Sequence, residues 1–597
     1  MLPPEPASDR PGRRSRLLVA LLVAAAILAL AALLAYPFRT EIPFWPGPNR
    51  PTPVPTEPPL TPAPIATGQA VVPGPGATPE EAADTMPLHR PTFPYTGSQP
   101  WQIAVAPDAT RVLEGYASRP SYLPGETLRL AVSTTAPFYD VQIFRASGSA
   151  PVAGPFVQVA SIAGQPGRLQ PPPTVDPVTK LVAARWRYDV VFAIPTSWRS
   201  GIYLVRLSSS QGVQSYVPFV VRSRTAHRIL VVSSAMNWEA YNRWGGSSVY
   251  TSQVGDPFPG VHRALGVSFD RPYASDGGAG QLFFLELPFV SWILRQHLDV
   301  AFTTDYDLSL DPDRQPLPRV VVFNGHDEYW GVRLYQWLDR HVNQLGDVGL
   351  AMLAADTGYW PVQFTHETAD GPRDMLVFKN GPVPASLLPP GETPEPTASG
   401  APEETASPAG EIEERSSRIL WTIPAHGPYV GSLPDQPIFG VHYQGVTTAL
   451  GRYSLVEPGP EAPGGSASGA PASSASGAAS STFARLLAGT GLGPGDSLGF
   501  IAGGEVDGVN ASSTWWGPLG GRHDHLFAVA ALIPGRTPQL RWTAEAVWRE
   551  LPSGGRVFSS GTFYWGWALD PAWGRAHEVP PGFGQLTRNI VAFLGGG

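Results

Sequence analysis

Continuous apolar segments that alternate with amphipathic ones constrain the fold of this chain most strongly. Arg228–Ser234 and Arg319–Asn324 carry apolar residues at consecutive positions, which is typical of strands buried on both faces. Between such runs, apolar residues such as Leu334, Leu338 and Val342 recur at the spacing of one helical face. This alternation predicts an α/β domain over residues 225–597, built on a parallel sheet that helices cover on both sides.

The preceding part of the chain has a different pattern of apolar residues. Short alternating strands follow one another between turn signals at Pro124–Glu126 and Ser208–Gly212. This pattern predicts an immunoglobulin-like, all-β sandwich over residues 99–224. Two stretches rich in Pro, Ala, Gly and Ser, near residues 382–414 and 457–481, predict disordered inserts within the α/β domain.

The N-terminus predicts export. A basic segment, residues 1–16, precedes the apolar run Leu17–Tyr36, which is long enough to cross a bilayer. We therefore expect a cytoplasmic N-terminus, a transmembrane anchor at residues 17–38, and the bulk of the chain outside the cell membrane. The alternative is a signal peptide cleaved after Ala35, which would release a secreted protein. Residues 39–98 are Pro-rich and predict a disordered, semi-rigid linker.

Composition excludes several classes of function. The net charge of −8 removes the electrostatic argument for a nucleic-acid partner. The absence of cysteine excludes disulfides, thiolate metal ligands and a cysteine nucleophile.

The stretch VVVFNGHDEYW, Val320–Trp330, places titratable residues directly after a buried strand. In a parallel sheet, ligands bind in the crevice beyond the carboxyl ends of the strands. His326, Asp327 and Glu328 are therefore candidates to line a cleft. The alternative is that Asp327 and Glu328 only cap the helix that follows.

A second polar and aromatic loop follows the strand at Arg228–Ser234. Trp238, Tyr241, Trp244 and Tyr250 surround a Gly245-Gly246 turn in this loop. Aromatic clusters of this kind are more often packing than chemistry. Two such loops on neighbouring strands would nevertheless face one cleft.

A set of motifs in fixed order resembles one known family. The motifs are WEAYNRWGGSSVY, VSFDRPY, NGHDEYW, ADTGYWPVQF and GGRVFSSGTFYWGWAL, followed by LTRNIVAFL. Together they resemble the C-terminal domain of the large (beta) subunit of N,N-dimethylformamidase across roughly residues 225–597. The strand WRSGIYLVRL, Trp198–Leu207, extends the resemblance into the predicted sandwich.

The resemblance implies a fold and a metal site. It implies a class I glutamine amidotransferase-like parallel α/β domain without the cysteine nucleophile. It also implies one iron ion, as Fe(III), held by two tyrosines and a glutamate, which map to Tyr203, Tyr241 and Glu328. His326 and Glu505 map to the family's acid/base residues.

The function that the resemblance implies is hydrolysis of a linear amide C–N bond, with a small amide or an exported polymer as substrate. Two phenolates and a carboxylate are hard oxygen donors, which suit a trivalent cation that activates water. The alternative is a non-catalytic cell-surface protein that binds a glycan or a peptide. A homo-oligomer is a further expectation.

The sequence departs from the family in two places. Gly504 stands before Glu505, where the family has a tyrosine. The family's lectin-like domain and its small subunit have no counterpart in the chain. The fold and the metal site therefore carry over better than the identity of the substrate.

Overall fold

The computed structural model describes residues 84–87, 95–104, 112–148, 156–257, 261–377, 441–456, 482–508, 524–535 and 541–596. All of them belong to one compact unit, Pro73–Gly597. The first strand is β1, Thr85–Pro87.

The next ten strands form two facing sheets and a short ladder. They are β2 (Leu113–Ala117), β3 (Ser121–Tyr122), β4 (Thr127–Thr134), β5 (Phe138–Ala146), β6 (Phe156–Pro166), β7 (Thr174–Val175), β8 (Val182–Ala183), β9 (Tyr188–Ala193), β10 (Gly201–Ser209) and β11 (Gln214–Val221). One sheet has the order β3-β11-β10-β5-β6 and the other β2-β4-β9, while β7 pairs with β8. Alternating apolar residues such as Leu130, Val141 and Val205 fill the core between the two sheets.

Strands and helices alternate in the following segment, in this order: β12 (Ile229–Ser233), α1 (Ala235–Tyr241), β13 (Gly266–Ser268), α2 (Leu287–Arg295), β14 (Val300–Thr304), α3 (Asp305–Leu310), β15 (Val320–His326), β16 (Tyr329–Trp330), α4 (Val332–Leu338), β17 (Gly349–Ala355), β18 (Trp360–Pro361), β19 (Gln363–Thr365) and β20 (Asp374–Leu376). The strands predicted from continuous apolar runs are therefore present, with ends that differ by a few residues.

The last part of the described chain is mostly strand. Its elements are β21 (His442–Val446), β22 (Ala449–Leu455), β23 (Ser497–Ala502), β24 (Glu505–Gly508), β25 (Asp524–Pro534), β26 (Arg541–Glu550), β27 (Arg556–Ser559), α5 (Pro571–Ala576) and α6 (Phe583–Leu594).

The central sheet joins these two segments. Its order is β1-β22-β25-β26-β27-β17-β15-β12-β14, and β23 pairs with β22. The five strands from β27 to β14 are parallel to one another, and the remaining strands pair in antiparallel fashion.

Successive side chains of the parallel strands point to opposite faces of the sheet, and both faces are buried. Val320 and Val322 contribute to one core together with α2 and α6. Val321 and Phe323 contribute to the other core together with α4. Continuous apolar runs are needed here because neither face meets water.

The predicted fold class is wrong. The described chain is mostly β-sheet with few helices, and its central sheet is mixed, so it is not the predicted parallel, glutamine amidotransferase-like α/β domain. The physical reason is that an apolar run predicts a buried strand without revealing which strand pairs with it. The antiparallel strand β22 comes from the segment between the two low-complexity inserts, and β25 and β26 come from the segment after the second insert.

The structure gives no support to the predicted N-terminal transmembrane helix. Among the described residues, no helix is both long and apolar enough to cross a membrane. The segment 17–38, most of the predicted linker at 39–98 and the predicted inserts at 382–414 and 457–481 lie outside the described residues. Residues 84–87 and 95–98 of that linker are described, and they include β1, which pairs with β22. The boundary predicted between residues 224 and 225 stays a prediction.

Candidate metal centre

The ends of neighbouring strands bring polar side chains to one place. His326 is the last residue of β15, and Asp356 directly follows β17, the adjacent parallel strand. Tyr241 ends α1, which follows β12 on the other side of β15. Glu505 begins β24, a strand that lies outside the central sheet.

Two tyrosines and a glutamate form the first part of the cluster. The Tyr241 hydroxyl donates to Glu328 Oε2 at 3.0 Å, and the Tyr250 hydroxyl lies 2.7 Å from that of Tyr241. The Tyr250 hydroxyl is also within hydrogen-bond distance of Glu328 Oε2. The two rings stack with centroids 4.2 Å apart. Tyr329 donates to the Tyr250 hydroxyl at 2.6 Å.

An imidazole and three carboxylates form the second part. His326 Nε2 lies 3.1 Å from Glu505 Oε2, 3.5 Å from Glu328 Oε2 and 3.9 Å from Asp356 Oδ2. Ligand atoms of His326, Asp356 and Glu505 all lie within 4.8 Å of one another, so this group could hold a metal ion. One imidazolium neutralises at most one of the three carboxylates, and the site therefore favours an additional positive charge.

Burial and mutual repulsion shift the acid groups of the cluster toward their neutral forms. Burial, followed by the charge of Glu328, raises the pKa values of Tyr241 and Tyr250 well above 10. Burial and the charges of Glu328 and Glu505 raise the pKa of Asp356. A cation placed among these groups would reverse the shifts, because it favours phenolate and carboxylate over phenol and carboxylic acid.

Gly504, which stands where the family has a tyrosine, is required by the packing of Phe563 in this site. The φ angle of Gly504 is +80°, and a Cβ atom there would lie 2.6 Å from the Phe563 ring. That ring packs on the His326 imidazole at 4.3 Å. Glycine before Glu505 therefore leaves the space that Phe563 occupies over the imidazole.

The structure does not bring Tyr203 to this cluster. Tyr203 lies on β10 in the core of the sandwich, where its ring stacks between Trp198 and Phe219. Its hydroxyl donates to the Arg199 carbonyl oxygen at 2.8 Å. Strand alternation turns this side chain toward the sandwich interior, away from the strand ends of the central sheet.

Sequence reasoning missed Tyr250, Tyr329 and Asp356 as members of the cluster. The sequence leaves the loop with Tyr250 open between packing and a position at the cleft, and the Gly245-Gly246 turn is the signal that the chain reverses after Tyr241. Asp356 follows a buried parallel strand, as His326 does, so the same rule about strand ends indicates it.

The donor set fits a hard cation. The Tyr241, Tyr250 and Glu328 oxygens lie within 3.0 Å of one another. Adjacent oxygen ligands of an octahedral ion are separated by about 2.9 Å when each bond is about 2.0 to 2.1 Å long. Phenolate and carboxylate oxygens are hard ligands, which suit iron in its trivalent form better than soft metals.

A sheet whose parallel strands end at a cluster of phenols, carboxylates and one imidazole defines a protein with a candidate metal centre. Residues 153–578 match the N,N-dimethylformamidase beta subunit-like, C-terminal family, and the chain belongs to this family. The resemblance inferred from the sequence motifs is thus confirmed.

A curated relative supports the same assignment. The chain is 26% identical over 250 residues to the N,N-dimethylformamidase beta subunit of Alcaligenes sp.. The matched region covers 35% of this chain and 32% of that relative, so the chain spans about a third of the relative's length.

Solved structures add no argument about fold. Spo0M, a sporulation control protein from Bacillus subtilis, has 12% identity and a TM-score of 0.13, covering 19% of this chain and 48% of Spo0M. A cycloisomaltooligosaccharide glucanotransferase of Paenibacillus sp. has 10% identity and a TM-score of 0.12, covering 45% of this chain and 34% of that enzyme.

Proposed function

We propose that this chain is a metal-dependent hydrolase that cleaves linear amide C–N bonds. Tyr241, Tyr250 and Glu328 would hold one iron ion, in place of the set with Tyr203 that the family resemblance implied. The observation that carries the proposal is the convergence of these three oxygens beside an imidazole and two further carboxylates. Membership of a dimethylformamidase-like family supports the same chemistry.

Iron bound here would supply a Lewis acid that polarises the amide carbonyl and lowers the pKa of a water molecule. The protein's own residues would move the protons. His326 Nε2 would accept a proton from water, since imidazole titrates near neutral pH. Glu505 Oε2 lies 3.1 Å from that nitrogen and would deliver a proton to the leaving amine.

A hydrogen bond between the two segments that carry Asp356 and Glu505 fixes their relative position. The Asp356 backbone N–H donates to Asp507 Oδ1 at 2.9 Å, which ties the end of β17 to β24. Burial raises the pKa of Asp507 to about 7, so this carboxyl is only partly ionised near neutral pH. Glu505 and Asp356 are therefore held on one connected framework.

The test begins with metal analysis of the purified protein. We expect one iron per chain and a visible absorption band from phenolate-to-iron charge transfer, together with hydrolysis of at least one member of a panel of small formamides and acetamides. Glu328→Gln should lose both the iron and the band. Glu578→Gln is the control, since Glu578 pairs with Arg452 on the surface.

A colourless, iron-free protein with no hydrolytic activity would overturn the proposal and favour the non-catalytic binding protein. Export across the cell membrane, the polymeric substrate and the homo-oligomer stay predictions.

A further inference from the structure

Arg271 is buried, and all of its hydrogen-bond donors are engaged by the chain segment between the two tyrosines. The residue is 1% exposed, in the segment that follows β13. Its Nε donates to Glu239 Oε1, and its two Nη atoms donate to four backbone carbonyl oxygens. A guanidinium has five N–H donors in a fixed plane, and here each of them has an acceptor.

The acceptors all come from one short piece of chain. The four carbonyls belong to Glu239, Asn242, Trp244 and Ser247, at distances of 3.1, 3.0, 3.2 and 2.8 Å. These residues form the last turn of α1 and the reversal that leads to Tyr250. The guanidinium therefore fills the inside of the bend that joins Tyr241 to Tyr250.

The same bend is fixed by Asn242. Its Nδ2 donates to Glu239 Oε1 at 3.0 Å, and its Oδ1 accepts from the Trp244 backbone N–H at 3.1 Å. Glu239 is consequently oriented from two sides toward Arg271. The chain between the tyrosines is thus built around one buried ion pair.

We propose that Arg271 is a positioning residue for the metal centre, whose guanidinium holds the bend so that both tyrosine oxygens face Glu328. The inference rests on the proposed function, because it assigns a role toward the iron held by those oxygens. The hydrogen bonds of Arg271 go to Glu239, Asn242, Trp244 and Ser247, and none goes to a proposed metal ligand. It acts through the backbone that carries Tyr241 and Tyr250.

Lysine would keep the charge but would not replace this geometry. A lysine ammonium offers three donors from a single point, whereas the arginine fork reaches carbonyls on several sides at once. Arg271→Lys should therefore leave the buried charge of Glu239 neutralised while loosening the bend. Changes in residues that orient metal ligands typically weaken metal binding about 10- to 100-fold.

The experiment compares full-length wild type, Arg271→Lys and Arg206→Lys, each loaded with iron. Arg206 is the matched control, since it also makes several hydrogen bonds, to Gln142 Oε1 and the Gln102 carbonyl oxygen, but lies on the sandwich strand β10. Iron affinity, the position of the phenolate-to-iron band and the melting temperature are measured. We expect Arg271→Lys to bind iron about 10- to 100-fold more weakly with a shifted band, and Arg206→Lys to retain both.

Each outcome decides one question. Wild type without iron or band contradicts the proposed function itself. Wild type with iron, and Arg271→Lys with unchanged affinity and band, contradicts the positioning role alone. Equal losses in Arg206→Lys would also overturn it, because they would indicate general destabilisation. If Arg271→Lys fails to fold, the double variant Arg271→Gln, Glu239→Gln replaces it, since it removes both charges of the buried pair together. An unchanged iron band in that variant overturns the role.

Discussion

Glu328 and Glu505 face the same imidazole nitrogen but should respond differently to neutralisation. We expect Glu328→Gln to abolish iron binding, because an amide oxygen is a poor ligand beside two phenolates. Glu505→Gln should keep iron and the charge-transfer band, and kcat should fall about 10²- to 10⁴-fold because a proton donor is lost. Metal content, absorption and steady-state kinetics check both variants. Loss of iron in Glu505→Gln would instead place Glu505 among the metal ligands.

Tyr329 tunes one of the two phenol oxygens. Its hydroxyl donates to that of Tyr250 at 2.6 Å, and its ring is fully buried. Tyr329→Phe should preserve packing and iron binding while moving the charge-transfer band to longer wavelength, because a Tyr250 phenolate without this donor is more electron-rich. Absorption spectra of the two loaded proteins test this. An identical band in both would show that the hydrogen bond does not reach the metal centre.

Glu286 should make the stability of the protein fall as pH rises. Burial raises its pKa to about 8, while its carboxyl accepts from Ser233 Oγ and the Ser234 backbone N–H. The unfolded chain has an ordinary glutamate pKa near 4.3. Between these two values the folded state holds a proton that the unfolded state lacks, so folding is favoured at low pH and loses this contribution as pH rises through about 8.

Glu286→Gln tests that linkage, because the amide mimics the protonated acid. The free energy of unfolding of wild type should fall by up to about 1.4 kcal/mol per pH unit more steeply than that of the variant between pH 5 and 8. Urea unfolding at several pH values gives the two slopes. Parallel slopes would indicate that Glu286 is charged in the folded protein.

At the scale of elements, Gly325 aims the end of β15 toward the metal centre. Its φ angle is +84°, and a Cβ atom would lie 2.9 Å from the Leu285 carbonyl oxygen. Gly325→Ala should lower the free energy of unfolding by about 1 to 3 kcal/mol and reduce activity, because His326 follows directly. Gly164→Ala is the control, since Gly164 has a φ angle of +63° and no atom within 4 Å of the Cβ position. Equal losses in the two variants would mean that the contact with Leu285 is unimportant.

The elements differ in how far the sequence reveals them. Strands β12, β14, β15 and β17 were predictable because each is an apolar run buried on both faces. The antiparallel half of the central sheet was not, since β22 pairs with β25 and with β1, partners that are remote in sequence. Pairing between such distant segments leaves no local pattern.

The residues of the candidate site also differ in how far the sequence predicts them. His326 and Glu328 could be placed because they follow a strand whose end must face a cleft. Tyr203 was placed from a motif alone, and its β-sandwich strand turns the ring into another core. Tyr250 could be placed in the site only if the chain was known to reverse after Tyr241, and the Gly245-Gly246 pair alone does not establish that reversal. Motifs thus indicate which residues belong to a family, whereas the ends of strands indicate which residues meet.

At the scale of the whole molecule, the sandwich and the central sheet share one core and should unfold together. Tyr216 of the sandwich packs against Phe283 with ring centroids 5.4 Å apart. Asp307 accepts from Ser121 Oγ at 2.6 Å and pairs with Arg222 at 3.3 Å. Calorimetry of the intact chain should therefore show a single cooperative transition. Two separate transitions, or a well-folded fragment of residues 225–597, would contradict this.

The bend between the two tyrosines has a consequence for protein engineering. Both tyrosines belong to one continuous segment of backbone. An arginine from a different segment donates hydrogen bonds to the carbonyl oxygens inside this bend. Transplanting the site into another scaffold would thus require two grafts, the tyrosine bend and the segment after β13 that carries Arg271. A transplant of the bend alone would carry the two tyrosines without the arginine whose hydrogen bonds fix their backbone.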